Sequence, residues 1–92
     1  MNIIYKDKDC WLGYTIEENN IMLLHMNTNI WSLSVYKKFL SIFNEFLRVV
    51  EREFIYSIAK TEKAKKFNEL FGFDCVKKEP DFYLMGLYVR KT

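Results

Sequence analysis

The first part of the chain contains two apolar runs separated by a short polar segment. The runs are WLGYTI (residues 11–16) and IMLLHM (residues 21–26), and the segment between them is Glu17-Glu18-Asn19-Asn20. Apolar runs on either side of a polar turn predict a β-hairpin, and asparagine tolerates the left-handed backbone angles of tight turns. The opening residues, NIIY, predict an additional edge strand.

From Ser32 to about Glu51 the apolar residues recur at spacings of three and four, which is the period of an α-helix. Polar and charged residues fall mostly between them, so this helix has one broad apolar face. Ser32 or Asn29 could cap its start, because either side chain offers an oxygen to the free backbone N–H groups. The apolar face consists of Tyr36, Phe39, Leu40, Phe43, Phe46, Leu47 and Val50.

The second half of the chain predicts a strand, a helix and a hairpin. EFIYSIAK, residues 53–60, is a short apolar run typical of a buried strand. Thr61 is placed to cap a second helix over EKAKKFNELF. Gly72 is placed to end this helix as a left-handed residue, and we expect Phe73 to pack back on Phe67. FDCVKK and FYLMGLYVR then flank the turn EPD, whose proline favours a second hairpin.

This order, β-β-α-β-α-β-β, predicts a single domain of the α/β or α+β class over residues 1–92. We expect one mixed, mostly antiparallel sheet of about five to six strands, with two helices covering its faces. Hydrophobic residues make up 50% of the chain and aromatic residues 17%, which favours a well-filled core. A small core cannot readily bury so many aromatic rings, so we also expect a partner or subunit interface.

Charge and cysteine content exclude several classes of function. The formal net charge is +2, from 14 basic and 12 acidic residues distributed along the chain, which argues against an electrostatic nucleic-acid binder. Cys10 and Cys75 lack metal-ligand spacing, so we expect free, buried thiols, no metal and a cytoplasmic location. Charges at residues 6–9 argue against a signal peptide, and no apolar run reaches the roughly 18 to 20 residues that cross a bilayer.

Residues 54–89, FIYSIAKTEKAKKFNELFGFDCVKKEPDFYLMGLYV, resemble the C-terminal half of the GNAT acyltransferase fold. In that fold a strand, a short helix ending in a Gly-Phe corner and a terminal hairpin follow one another, and Leu70-Phe71-Gly72-Phe73 is the most typical part. The resemblance implies that the preceding hairpin and long helix match the family's central strands and cofactor helix, while most of its N-terminal part is missing. With Trp31 before that helix, the chain is most similar to small phage GNAT-like proteins. These resemble internal-virion or assembly proteins of short-tailed phages, which implies the host cytoplasm or a phage particle.

One segment departs from the family pattern. Family enzymes bind the pyrophosphate of acyl-CoA with a [Q/R]-x-x-G-x-[G/A] loop before the cofactor helix. This chain has Asn27-Thr28-Asn29-Ile30-Trp31-Ser32-Leu33-Ser34 there, and bulky side chains obstruct the approach of a phosphate to the backbone. We therefore expect no cofactor. An active site would instead hold acetyl-CoA through Asn29, Ser32, Ser34 and Lys37.

Three residues are candidates for acid–base chemistry, namely His25, Tyr56 and Tyr88. Imidazole titrates near neutrality, and in the resembling enzymes a tyrosine near the cofactor sulfur acts as general acid. That tyrosine lies in or beside the family's second helix, where this chain has none, so its role carries over to no residue here. Packing is the competing interpretation for all three candidates and for Tyr83, and we expect no catalytic residue.

The candidates for partner contacts are Trp31, Trp11 and Lys38, since tryptophan often dominates interface energies. We expect a non-catalytic GNAT-like, phage-type accessory or assembly protein that binds another protein or itself, with no membrane contact. The alternative is a small acetyl-CoA-dependent N-acyltransferase that modifies a host defence protein. Nucleic-acid binding has only the lysine cluster of residues 60–66 in its favour, and a solvated surface is the simpler interpretation of that cluster.

Overall fold

The computed structural model describes residues 1–89. It consists of β1 (Asn2–Lys6), β2 (Cys10–Glu17), β3 (Ile21–Thr28), α1 (Leu33–Val49), β4 (Phe54–Ala59), α2 (Glu62–Leu70), β5 (Asp74–Lys78) and β6 (Tyr83–Tyr88). The predicted α+β class, with a six-stranded mixed sheet and two helices, is confirmed, and the NIIY segment forms the edge strand β1.

The strand order across the sheet is β1-β2-β3-β4-β6-β5. Every neighbouring pair is antiparallel except β3 and β4, which are parallel. The parallel pairing is short, because it joins only Leu23 to Tyr56 and Leu24 to Ser57. Both carboxyl ends of this pair therefore lie at the same end of the sheet, where α1 and α2 begin.

Local signals in the sequence set the limits of the elements. Ser32, not Asn29, caps α1, and its Oγ accepts a hydrogen bond from the backbone N–H of Val35 at 3.2 Å. Thr61 caps α2 in the same way, accepting from the N–H of Ala64 at 3.0 Å. Gly72 follows α2 with φ of 95°, a left-handed angle that glycine adopts without steric cost. The predicted capping residues are confirmed at both helix starts.

Both helices pack on one face of the sheet, so the expectation that they would cover both faces is wrong. Phe71, just after α2, lies with its ring 5.0 Å from that of Phe39 and 5.5 Å from that of Phe43, both on α1. The physical reason is the direction of the connections. The chain passes from β3 through α1 to β4, and from β4 through α2 to β5, moving the same way across the sheet. Right-handed crossovers in one direction place their helices on the same side.

The other face of the sheet, called the open face below, carries no helix within residues 1–89. Residues paired directly across neighbouring strands share a face, so the register identifies its members. The prediction of a buried fourth strand is half right, because Ile55 and Ala59 are buried whereas Phe54 and Ile58 are exposed. By this register the open face includes Ile3, Lys6, Trp11, Gly13, Thr15, Glu17, Ile21, Leu23, His25, Asn27, Phe54, Tyr56, Ile58, Asp74, Lys77, Leu84, Gly86 and Tyr88.

Gly72→Ala should lower the free energy of unfolding by about 1–2 kcal/mol, because a Cβ disfavours the left-handed angle at this position. Urea unfolding followed by circular dichroism measures the change. Asn44→Ala, at an exposed position of α1, is the control and should stay within about 0.5 kcal/mol of the parent protein. Equal stability of Gly72→Ala and the parent would contradict this account of the corner after α2.

Candidate functional site

A concave site lies at the carboxyl ends of β3 and β4, and it is called the groove below. It has a volume of about 650 Å³. Open sheets bind ligands at the carboxyl ends of parallel strands, where the connections diverge. The groove is lined by Asn27, Thr28, Asn29 and Trp31 on one side and by Thr61, Lys63, Ala64, Lys66, Phe67 and Leu70 on the other.

Trp31 stands between the start of α1 and the flank of α2. Its ring centroid lies 5.4 Å from that of Phe67 and 5.7 Å from that of Tyr36, and both pairs are edge-to-face. Such pairs stabilise beyond the area they bury. The residue is nevertheless 49% exposed, so the indole is held by its neighbours while part of its surface remains accessible.

The apolar surface continues from Trp31 into an adjoining hollow of about 380 Å³. Leu33 at the start of α1 is 68% exposed and Leu70 at the end of α2 is 52% exposed, and both line this hollow together with Trp31. Two large exposed apolar side chains beside one anchored indole form a surface suited to binding.

The loop that carries Trp31 is attached to the turn between β1 and β2. The backbone N–H of Asn29 donates to the carbonyl of Asp9 at 2.7 Å, and Nδ2 of Asn29 donates to the carbonyl of Lys8 at 2.9 Å. The amide of Asn29 is thus engaged within the protein although the residue lines the groove. These two bonds fix the direction in which the chain enters α1.

Lys38 is tied to the same turn. Its Nζ lies 2.7 Å from Oδ2 of Asp7 and 3.0 Å from Oδ2 of Asp9. The hydrogen bond from Lys38, followed by that from the hydroxyl of Tyr5, lowers the pKa of Asp7, and the two carboxylates raise the pKa of Lys38. Lys38, predicted as a contact for a partner, is here the centre of an internal ion-pair cluster, and sequence reasoning missed its two acidic partners.

The four residues predicted for an active cofactor site are not brought together. Among them only Asn29 lines the groove. Ser32 caps α1, and its Oγ lies 3.2 Å from that of Ser34, while Lys37 is exposed one turn inside α1. The cations of the groove are instead Lys63 and Lys66 on α2, which the sequence had indicated only as part of a solvated cluster.

The three acid–base candidates lie on the open face, away from the groove lining. Nε2 of His25 is 3.1 Å from Oγ1 of Thr15, and the ring of Tyr56 packs 5.2 Å from that of Phe54. The hydroxyl of Tyr88 donates to Oε1 of Glu53 at 3.3 Å. Each candidate thus has a neighbour that accounts for its position, and the three do not converge on the groove.

Tyr83 and the two cysteines also have side chains capable of reaction. The hydroxyl of Tyr83 donates to Oε2 of Glu62 at 2.6 Å, which raises the pKa of the tyrosine and lowers that of the carboxyl. Cys10 is buried, and burial raises the pKa of its thiol. Cys75 is exposed, so the expectation of burial is wrong for it, because it lies on the edge strand β5, whose residues are all exposed.

Comparison of the chain with protein-family models, with curated proteins and with solved structures gives no match. The resemblance to the GNAT fold therefore stays a prediction. Within residues 1–89 no three histidine, cysteine or acidic side chains group as a metal site would require. No helix in that part of the chain combines the length and the apolar character of a membrane span.

Asp7→Asn should reduce the acid sensitivity of folding. The pKa of Asp7 is lowered in the folded state, so its charge stabilises the fold above about pH 4, the ordinary range of an aspartate, and this contribution is lost as the pH falls further. Melting temperatures at about pH 7 and about pH 3 should differ less for the variant than for the parent protein. Asp81→Asn, at an exposed position, is the control, and an unchanged difference for Asp7→Asn would contradict the role of the ion-pair cluster.

Proposed function

We propose that this protein is a non-catalytic binding domain that recognises a segment of a partner protein through the groove beside Trp31. The observation that carries the proposal is the apolar surface formed by Trp31, Leu33 and Leu70 at the entrance of the groove. Partly exposed tryptophan that is already packed on one side is a typical hot spot, since it contributes a large contact area with little loss of side-chain entropy.

The charges at the groove indicate the chemistry of the partner. Lys63 and Lys66 line it on α2, and Asn27, Thr28 and Thr61 add polar side chains. A segment with an apolar anchor flanked by aspartate or glutamate would place its anchor against Trp31 and its carboxylates near the two lysines. The groove therefore fits an acidic segment with an aromatic or aliphatic residue in its middle.

The distribution of reactive side chains supports binding over catalysis. His25, Tyr56 and Tyr88 lie on the open face, and the thiol of Cys10 is buried. A general acid or base must lie within hydrogen-bond reach of the reacting group, and among the described residues the groove contains none of these candidates. On the resemblance alone, the partner would be a protein of a phage particle or of its assembly.

The alternative, a small acetyl-CoA-dependent N-acyltransferase that modifies a host defence protein, has one observation in its favour. The groove opens at the carboxyl ends of the parallel strands and contains two lysines, an arrangement that suits an anion. Trp31 weighs against it, because the indole stands at the start of α1, where a diphosphate would approach the backbone.

Selection of peptides from a random 12-residue library tests the binding proposal. We expect enrichment of sequences with an aromatic or aliphatic residue flanked by acidic residues. Trp31→Ala should weaken binding of the enriched peptide at least about tenfold, because truncating a hot-spot residue costs more than about 1.4 kcal/mol. Lys63→Glu combined with Lys66→Glu should weaken it as well, and isothermal titration calorimetry measures each affinity.

Val49→Ala is the matched control for this experiment, because Val49 is a large apolar residue, 68% exposed, on α1 and outside the groove lining. It should leave the affinity unchanged, and circular dichroism should show that all variants are folded. The proposal is wrong if no peptide is enriched, or if the enriched peptide binds Trp31→Ala as tightly as it binds the parent protein.

Acetyl-CoA separates the two functions. A ligand that binds only the folded state at a hundredfold excess over Kd adds about 2.7 kcal/mol, which raises the melting temperature of a domain this small by about 10–20 °C. We expect a shift below about 1 °C at about 1 mM acetyl-CoA, because Trp31 stands at the start of α1 and the amide of Asn29 is engaged within the protein. A saturable rise, together with acyl transfer to a peptide amine, would establish the alternative. Desulfo-coenzyme A serves as the control for binding without chemistry.

A further inference from the structure

The open face is apolar over most of its width although no helix within residues 1–89 covers it. Phe54, Tyr56 and Tyr88 cluster there, with ring centroids 5.2 Å and 6.2 Å apart for the two pairs that include Phe54. A Cβ built on Gly86 would meet side-chain atoms of Phe54 and Val76 at 2.7 Å, so both side chains lie over this glycine. The exposed apolar residues of this side of the sheet are Ile3, Ile21, Phe54, Ile58, Val76 and Tyr88.

The area of the whole open face reaches the upper end of the size range of apolar patches on monomeric proteins. Strands about 4.8 Å apart that rise about 3.3 Å per residue give a six-stranded face of roughly 600 Å². The largest apolar patch of a typical monomer is about 300–600 Å². Two such faces that overlap fully would hide at most about 1,200 Å², which is the lower bound of about 1,200–2,000 Å² for stable, specific interfaces.

The charges of the open face favour a second copy of the same surface. On its central strands β3, β4 and β6, the residues Leu23, His25, Phe54, Tyr56, Ile58, Leu84 and Tyr88 include no lysine, arginine, aspartate or glutamate. The charged residues that the register assigns to this side are Lys6 on the edge strand β1, Glu17 at the last position of β2, and Asp74 and Lys77 on the edge strand β5. Two identical faces can therefore meet without bringing like charges together at the centre, whereas a partner attracted by charge would find no complementary group there.

We propose that two copies of this chain associate through the open face, sheet against sheet, around a twofold axis. Two sheets pack face to face at about 10 Å with their strands within about 30° of each other. The aromatic cluster of Phe54, Tyr56 and Tyr88, together with Ile58, then forms the apolar centre of the interface. The inference is independent of the proposed function, because Trp31, Leu33 and Leu70 belong to the groove and its hollow and not to this face.

The solution mass tests the proposal. Sedimentation equilibrium of the full chain at about 1–500 µM should give twice the monomer mass of 11.2 kDa at the upper concentrations. Ile58→Lys should restore the monomer mass, because a twofold interface would bury two unpaired ammonium groups, weakening association about a hundredfold or more. Ile58 is 41% exposed in the single chain, so the lysine finds solvent in the monomer.

Val49→Lys is the matched control, since it makes the same change in charge at a residue that is 68% exposed on α1, and it should leave the dimer intact. Val76→Lys, at a residue 53% exposed on the edge strand β5, is the second disrupting variant and decides the question if Ile58→Lys fails to fold. Circular dichroism reports folding in each case. If the parent protein has the monomer mass at every concentration, the proposal is wrong, and a different protein would be the partner of the open face. A dimer that survives in folded Ile58→Lys or Val76→Lys, or one that Trp31→Ala dissociates, would overturn it too.

Discussion

The packing of Phe71 between the two helices is the interaction on which the rest of this structure depends. Its ring lies 5.0 Å from Phe39, 5.5 Å from Phe43 and 5.1 Å from Phe67, so one side chain joins α1 to α2. Gly72 then turns the chain with φ of 95°, which brings Phe73 into the core, with its ring 6.0 Å from that of Phe43. These aromatic contacts hold both helices on one side of the sheet.

This one-sided core determines where the surfaces for binding lie. With both helices on the same face, no helix within residues 1–89 covers the apolar residues of the opposite face. The same contacts shape the groove, because Phe67 packs against Phe39 on one side and against Trp31 on the other. The groove wall is therefore an extension of the core, and its shape depends on the core remaining intact.

The sequence predicts the elements well because their signals are local. The caps Ser32 and Thr61, the corner at Gly72 and the asparagine turn each depend on residues within a few positions of one another. The side of the sheet on which a helix packs is not local, since it follows from the direction and handedness of two crossovers. The same limit applies to Lys38, whose partner Asp7 lies 31 positions away, and to Cys75, whose exposure follows from the place of β5 at the edge.

At the candidate site too, the sequence predicts the local features and misses the contacts between distant parts of the chain. The sequence singled out Trp31 and the segment around it, because an indole replaces the glycine expected from the family resemblance. It did not indicate that Lys63 and Lys66 would face that segment, since α2 meets the end of β3 only in the folded sheet. It named His25, Tyr56 and Tyr88 as candidates for acid–base chemistry, with packing as the competing interpretation, and strand alternation directs all three to the open face.

The two surfaces differ in chemistry and lie on different parts of the fold, and this separation has a consequence for affinity. The groove is bordered by α2, by the loop before α1 and by the end of β3, whereas the open face extends over all the strands of the sheet. Association through the open face would give one particle two grooves, because each copy keeps its own Trp31. A partner that repeats along an assembly could then occupy both grooves at once. The second binding event becomes intramolecular, and avidity exceeds the affinity of a single groove by orders of magnitude without any new contact. A modest groove on a small domain is sufficient for firm attachment when the domain is paired in this way.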